Sequence, residues 1–518
     1  MKMINRFIKY FLIIILALMP VMGVAQVNDL PRSTPEREGV KSSTISKMLD
    51  VLSGIPNTEI HHVMVVRHGK VIAEYHPAPY KPEYRHTLYS CSKTFVSMAI
   101  GIAIGENKLK LTDRVASFFP EQLPDTISQN LSEMTVRNLL TMTSGIVPDW
   151  NMRNYESNWI KSYLAKPVIC KPGSDYKYDS MCTFMLSAIL QRVTGMKMLD
   201  YLKIKFFTPM NITEVGWEES PDGINTGGWG LHLQSESLAK LGILILNKGE
   251  WNGKQLVPKR WIEDASSKQV DNTYGVKNAK ITDSNQGYGY QMWCCKYPGA
   301  IRADGAYGQF VVMVPDKDIV VVINGNCIGN SDDELNAVWD VLMPGVDEKQ
   351  YQAGGKEYKL LLKQCANARL ETPKGKKSTS LSKSILGKTI TLQKNKHNIS
   401  NLSITQNGDI YALTVEQNDG ENYVIPFDYK KWSYAISSVN PPYSVSAMAR
   451  FKGITDPYIV AGAYAWSSDS TLLLTAHYPN WISSRTFLLN FQKEEVKIQI
   501  SENFSLDPPE QIIGALAK

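Results

Sequence analysis

A chain of 518 residues is too long for one ordinary core and implies two or three domains. With 43% hydrophobic and 20% charged residues, it is neither disordered nor wholly membrane-embedded. The formal net charge is +6, with no basic stripe interleaved with aromatics, which excludes a dedicated nucleic-acid surface.

At the N-terminus, Lys2, Arg6 and Lys9 precede an apolar run from Phe11 to Val21. Gly23-Val24-Ala25 then sets small residues where a signal peptidase cuts, so 1–25 reads as a signal peptide cleaved after Ala25. The run is short for a span of about 20 residues, and no cysteine stands near the cut to carry a lipid. Cleavage removes three positive charges, leaves +3, and predicts a periplasmic or secreted chain with no remaining membrane span.

Residues 58–77 alternate and are rich in valine, which predicts a hairpin of Val63–Val66 and Val71–Tyr75 turning at His68-Gly69. Thr87-Leu88-Tyr89-Ser90 then runs into an apolar stretch, Phe95 to Ile104, long enough for a buried helix that Gly105 stops. A short helix is predicted at 136–140, and longer ones at 183–194 and 235–248, each of the latter two ending at a glycine. Strand character returns at 310–314 and 319–323 across Pro315-Asp316-Lys317-Asp318. Strands at both ends with helices between them predict an α+β domain with an antiparallel sheet flanked by helices. A helix near 356–370 leads into a Lys, Ser, Thr, Pro and Gly stretch, 371–384, that reads as linker. Beyond 386, short β-type runs punctuated by turns predict an all-β barrel or sandwich, with Trp432, Tyr434, Trp466 and Trp481 read as core.

The seven cysteines (Cys91, Cys170, Cys182, Cys294, Cys295, Cys327 and Cys365) match no CxxC metal spacing or disulfide scaffold. Most therefore read as buried thiols. His61-His62 lies ahead of a strand-like segment, and no HExxH occurs. No metal or other cofactor is implied.

Three segments carry chemistry. Ser90-Cys91-Ser92-Lys93 sits at a helix start, where positions i and i+3 share a face. A dry site lowers the lysine pKa, so that a neutral amine can take the serine proton. Taken alone the spacing also fits a surface lysine, but the run after Lys93 is too apolar for that. In Pro172 to Ser180, a turn presents Tyr178 and Ser180 together; near an ammonium, a tyrosine can be held as phenolate or relay a proton. By itself Tyr178 also fits a packing residue. Arg302-Ala303-Asp304-Gly305-Ala306-Tyr307-Gly308-Gln309 enters a strand whose glycines allow close approach of a ligand backbone, or it is a plain hairpin turn.

In this order the three segments resemble the serine β-lactamase and penicillin-binding-protein superfamily. Leu139-Leu140-Thr141-Met142-Thr143-Ser144-Gly145 resembles its LLTHTSG segment, with Met142 where histidine is usual. Gly227-Gly228-Trp229-Gly230-Leu231, Leu238 to Gly242, Asn252 to Gln255 and Gly287 to Trp293 extend the likeness over roughly residues 35–345. It is nearest the class C-like branch that includes esterases and 6-aminohexanoate-dimer hydrolase. The all-β module resembles the lipocalin-like domain found behind many such hydrolases. The organisation so implied is a signal peptide (1–25), a β-lactamase-related hydrolase domain (26–350), a helix and linker (351–385) and a lipocalin-like module (386–518).

By resemblance, Ser90 is the acylated nucleophile, Lys93 its activator and Tyr178 the proton shuttle. The backbone N–H groups of Ser90 and Ala306 form an oxyanion hole, and Ser180, Asp304, Gly305 and Tyr307 bind substrate. Ala303-Asp304-Gly305 replaces the family's Lys-Thr-Gly, so the usual cation and hydroxyl are absent. Asp304 is expected to repel a carboxylate and to favour an amine. The implied function is hydrolysis of an ester or amide in a small-molecule or peptide substrate through an acyl-serine. The alternatives are a DD-peptidase or β-lactamase, and a non-catalytic binding protein that keeps the fold. The sequence leaves the natural substrate and the oligomeric state open.

Overall fold

Alternation of valines builds the first sheet. In a computed structural model describing residues 30–276, 280–347, 349–455 and 457–517, α1 (Ser42–Ser53) precedes β1 (Thr58–Arg67) and β2 (Lys70–Tyr75). The hairpin turns at His68 and Gly69, both at positive φ. After α2 (Ser92–Gly105), α3 (Ser180–Thr194) and α4 (Ser235–Leu246) come β3 (Trp293–Cys294), β4 (Ile301–Gly305), β5 (Gln309–Val314) and β6 (Ile319–Cys327). The six strands form one antiparallel sheet in the order β2-β1-β6-β5-β4-β3, so N- and C-terminal strands meet at its centre.

Both faces of this sheet are dry, and the period of two decides which side chain goes where. Met64, Val66, Val311, Met313, Val320 and Val322 join the core with α2, α3 and α4. Val63, Val65, Val312, Val314, Val321 and Ile323 face α1 and residues 335–346. α3 starts three residues earlier than the periodicity indicates, because the Asp179 side chain caps it by accepting from Met181 N at 2.9 Å. His61 and His62 lie inside β1, fully buried, rather than ahead of it. They contact His86 and His76 through ring nitrogens at 2.9 and 2.7 Å. Among the described residues no group of His, Cys, Asp and Glu is arranged to hold a metal, and all seven cysteines are free thiols, four of them buried.

The all-β segment is a barrel, not a sandwich. Its ten described strands are β7 (Thr389–Leu392), β8 (Ile399–Asn407), β9 (Ile410–Gln417), β10 (Asn422–Tyr429), β11 (Ser433–Ser437), β12 (Tyr458–Trp466), β13 (Thr471–His477), β14 (Ser484–Gln492), β15 (Glu495–Glu502) and β16 (Glu510–Leu516). Antiparallel pairing runs from β10 back through β7 to β16 and on to β12, and a parallel β10–β12 pair closes nine of them into a ring. Closure requires Gly462, since a Cβ there would lie 2.1 Å from the Pro426 carbonyl oxygen. Trp466 and Trp481 are core. Tyr434 and Trp432 instead face the first domain and the barrel rim: Tyr434 Oη donates to Pro79 O at 3.3 Å, and Trp432 packs edge-on against His477.

The 351–385 stretch is ordered on both domains. Its helix, Lys356–Ala366, is shorter than predicted and contacts α1 through Gln364, which bonds Asp50 at 2.7 Å. Lys376 bridges to Trp466 through paired backbone hydrogen bonds. The expected signal peptide lies outside the described residues. Among those described, no helix is long and apolar enough to cross a membrane.

Candidate active site

Ser90 occupies a one-turn 3-10 helix, Tyr89–Cys91, that runs directly into α2. Tyr89 adopts φ +45°, a strained value for an aromatic residue. Its surroundings hold it there. Its hydroxyl meets Ser444 Oγ at 2.9 Å, its ring packs on Tyr307 and Tyr443, and its carbonyl accepts from Ser92 Oγ at 2.6 Å. β4 passes so close behind this turn that a Cβ on Gly305 would sit 2.3 Å from Leu88 O. Gly305 is therefore buried against the protein's own backbone and does not line the cleft, contrary to the substrate contact expected of it.

Lys93 is 1% exposed. Its Nζ lies 2.9 Å from Ser90 Oγ, 3.0 Å from Ser180 Oγ and 2.7 Å from Gly228 O, so each ammonium proton has one acceptor. Burial draws its pKa down to about 7; Asp179 opposes the shift and the positive charge of Arg153 reinforces it. Both protonation states are thus available near neutrality. Gly228 is needed for this contact, because a Cβ there would meet Ser180 O at 2.7 Å.

Tyr178 lines the same cleft as Ser90, and its ring centroid is 4.8 Å from Lys93 Nζ. Burial raises its phenol well above the ordinary range although Ser90 pulls the other way. That direction keeps the group protonated rather than held as phenolate. The segment carrying it is pinned from behind by the Thr-Met-Thr run. Lys177 N donates to Met142 O at 2.8 Å, Asp179 N reaches Met142 Sδ at 3.4 Å, and Gly173 N donates to Thr143 O at 2.8 Å. Gln291, buried with φ +63°, ties three elements together. Its carbonyl accepts from Thr94 Oγ1, its side-chain oxygen from Thr183 Oγ1, and its amide donates to Leu139 O and Leu140 O.

On the opposite wall, Ala306 and Tyr307 form the turn between β4 and β5, with Tyr307 at φ +64°. The fully buried Gln309 amide staples that turn by donating to Ala306 O, Tyr307 O and Gly325 O. Asp304 does not stand there as a free anion. Arg302, two residues earlier on the same strand face, bonds it through Nε at 2.9 Å and Nη2 at 2.8 Å. Desolvation raises the Asp304 carboxyl while Arg302 holds it down. Its repulsion of a carboxylate, and its expected preference for an amine, are cancelled by that neighbour.

A cleft of about 420 Å³ joins these parts. Ser90, Tyr178, Ser180, Asp304, Ala306 and Tyr307 line it, and the Lys93 ammonium forms hydrogen bonds at its floor. The sequence reading missed Trp150, Arg153, Ser444 and Val445, and it named Gly228, Trp229 and Trp293 only as part of a likeness. The Gly227–Gly230 block and the Gly287–Trp293 run were the only local signals for any of them. Ser444 and Val445 come from the barrel, so no local pattern places them here.

Comparison with known proteins follows the same lines. The sequence profile described as Beta-lactamase matches residues 59–341, more than half of the chain. The 6-aminohexanoate-dimer hydrolase of Paenarthrobacter ureafaciens is 23% identical over 327 residues, 58% of this chain and 82% of that protein. Protein flp of Staphylococcus aureus (strain N315) is 25% identical over 205 residues, 37% of this chain, which thereby spans 40% of that relative's length. A solved structure assigned as a 6-aminohexanoate-dimer hydrolase from Bacillus anthracis shares the fold, with a TM-score of 0.51 at 18% identity over 62% of this chain and 87% of that one.

Proposed function

The chain belongs to the β-lactamase family, and from that premise we propose that it is an exported serine hydrolase cleaving an ester or amide bond through an acyl-Ser90 intermediate. The observation that carries this reading is the 2.9 Å contact between Lys93 Nζ and Ser90 Oγ, with the lysine buried and its pKa drawn down to about 7. In its neutral form Lys93 takes the Ser90 proton as Oγ bonds to the substrate carbonyl carbon. The negative charge that develops on the carbonyl oxygen faces the backbone N–H groups of Ser90 and Ala306. Tyr178, a neutral phenol beside Ser90, gives its proton to the departing oxygen or nitrogen and is reprotonated from the Lys93 ammonium. Water then attacks the acyl-enzyme, its proton returns through the same pair, and Ser90 leaves.

A β-lactam or DD-peptidase substrate is supported less well. Ala303 stands where the family's strand-borne cation would be, and the adjacent Arg302 is committed to Asp304. Export rests on the pattern of residues 1–25 and predicts a mature N-terminus at Gln26.

A fluorophosphonate probe followed by peptide mass mapping tests the mechanism. Modification of the peptide containing Ser90, lost in Ser90→Ala together with p-nitrophenyl ester turnover, is the expected result. Wild-type turnover in Ser90→Ala would overturn it.

A further inference from the structure

We infer that Arg153 forms an anion subsite in the same cleft, so that the preferred substrate is an ester or amide bearing a carboxylate. This inference rests on the Ser90 reading above for its chemistry, but not for its binding site.

Arg153 lines the cleft together with Ser90, Tyr178 and Ala306. Its position is held at three points. Its carbonyl accepts from Met448 N at 2.7 Å, its Nε donates to Ser446 O at 2.8 Å, and its guanidinium lies over the Trp229 ring at 4.9 Å and the Trp150 ring at 5.7 Å. The two terminal amino groups, Nη1 and Nη2, have no acceptor among the described residues, and no described carboxylate comes within ion-pair range. A planar cation whose remaining N–H groups are unspent is suited to paired hydrogen bonds from a carboxylate.

The other charges around the cleft leave that role to Arg153. Lys93 is occupied by Ser90, Ser180 and Gly228. Arg302 and Asp304 neutralise each other. Asp179 and Glu218 act on Arg153 electrostatically, but both are buried and neither lines the cleft. The field of Arg153 reaches the catalytic centre, since it disfavours the Lys93 ammonium. The buried Trp229 ring under the guanidinium keeps water off one of its faces, which strengthens a charge-assisted contact. The missing strand cation thus has a counterpart in the same cleft, carried by the one-turn helix Met152–Tyr155 and braced by the barrel.

The full-length enzyme is assayed with two pairs of matched esters. One pair is mono-p-nitrophenyl glutarate and p-nitrophenyl pentanoate, with the charge on the acyl side. The other is 4-acetoxybenzoate and phenyl acetate, with the charge on the leaving group. The wild type is expected to favour the anionic member of at least one pair by roughly tenfold or more in kcat/KM, the scale of one charge-assisted hydrogen bond. Arg153→Gln should erase that ratio, Arg153→Lys should restore part of it, and added salt should reduce it. Turnover of both pairs with no anionic preference, or a preference that survives in Arg153→Gln, overturns the subsite and leaves the Ser90 mechanism standing. Glutarate binding measured by calorimetry separates the two readings. It should be retained in Ser90→Ala and lost in Ser90→Ala/Arg153→Gln whether or not any ester turns over, and absence of glutarate binding in Ser90→Ala also overturns the subsite.

Discussion

Arg302 and Asp304, two residues apart on one strand, point to the same face and close an ion pair at 2.8 Å beside the Ser90 turn. The Arg302 side chain is 2% exposed and that of Asp304 is 26%. The strand position that usually presents a cation to substrate therefore presents a neutralised pair, in which the arginine also donates to Asp283 O and Cys294 O.

Removing one member of that pair strands the other. Asp304→Ala leaves the Arg302 charge buried with two carbonyls and the Cys295 sulfur as acceptors, at a cost of about 2 kcal/mol, less than for a fully buried pair because Asp304 is partly open to water. Urea unfolding reads the loss as a lower midpoint at unchanged slope. Arg302→Met/Asp304→Ala should recover part of it, and a midpoint unmoved in Asp304→Ala would show the pair to be idle.

Lys93 sets the pH response. Its protonated form cannot accept the Ser90 proton, so kcat/KM should climb with pH and reach half its plateau near 7. Arg153→Gln removes a like charge that disfavours the ammonium, so the limb should move to higher pH. The same shift acts on stability. The folded-state pKa of about 7 lies below the ordinary lysine value of 10.5, so between these values the unfolded chain binds the extra proton. This group's contribution to stability therefore increases as pH rises through that window. Lys93→Met should flatten the corresponding slope in unfolding free energy; an unchanged slope would argue against the depressed pKa.

Tyr178→Phe separates proton delivery from acylation. A p-nitrophenolate leaves without a proton, whereas an amine does not. The variant should lose roughly 10²–10⁴-fold on an amide substrate and distinctly less on the matched nitrophenyl ester. Equal losses on both would assign Tyr178 to positioning Ser90 rather than to the leaving group.

Gly305→Ala tests the close approach of β4 to the Ser90 turn. The new methyl group meets the Leu88 carbonyl at 2.3 Å, and that atom is backbone with little room to move. A destabilisation of about 1–3 kcal/mol is expected, with slower fluorophosphonate labelling of Ser90 as the turn shifts. Normal labelling at normal stability would mean that the strand can retreat.

The strands and the buried helix were legible because their signal is local. Val63–Val66 and Val311–Val314 alternate with a period of two, and the run after Lys93 is apolar all round, which marks a helix covered on every side. The juxtaposition of Ser90 and Lys93 follows from the i, i+3 spacing alone. The barrel was legible as a class but not as a closed ring. Closure depends on the meeting of Phe427 with Gly462, which no periodicity encodes.

The amino-acid sequence by itself determined the order of chemical groups: a serine and lysine at a helix start, a tyrosine and serine at the next cap, a glycine-bearing strand last. It also determined that no cation stands at Ala303. Only the tertiary structure decided that Asp304 is neutralised, that Gly305 faces Leu88 rather than a ligand, and that Arg153 joins the cleft. The reason is sequence separation. Arg153 meets Ser446 across 293 residues and Tyr89 meets Ser444 across 355, so these contacts exist only once the barrel has docked on the first domain.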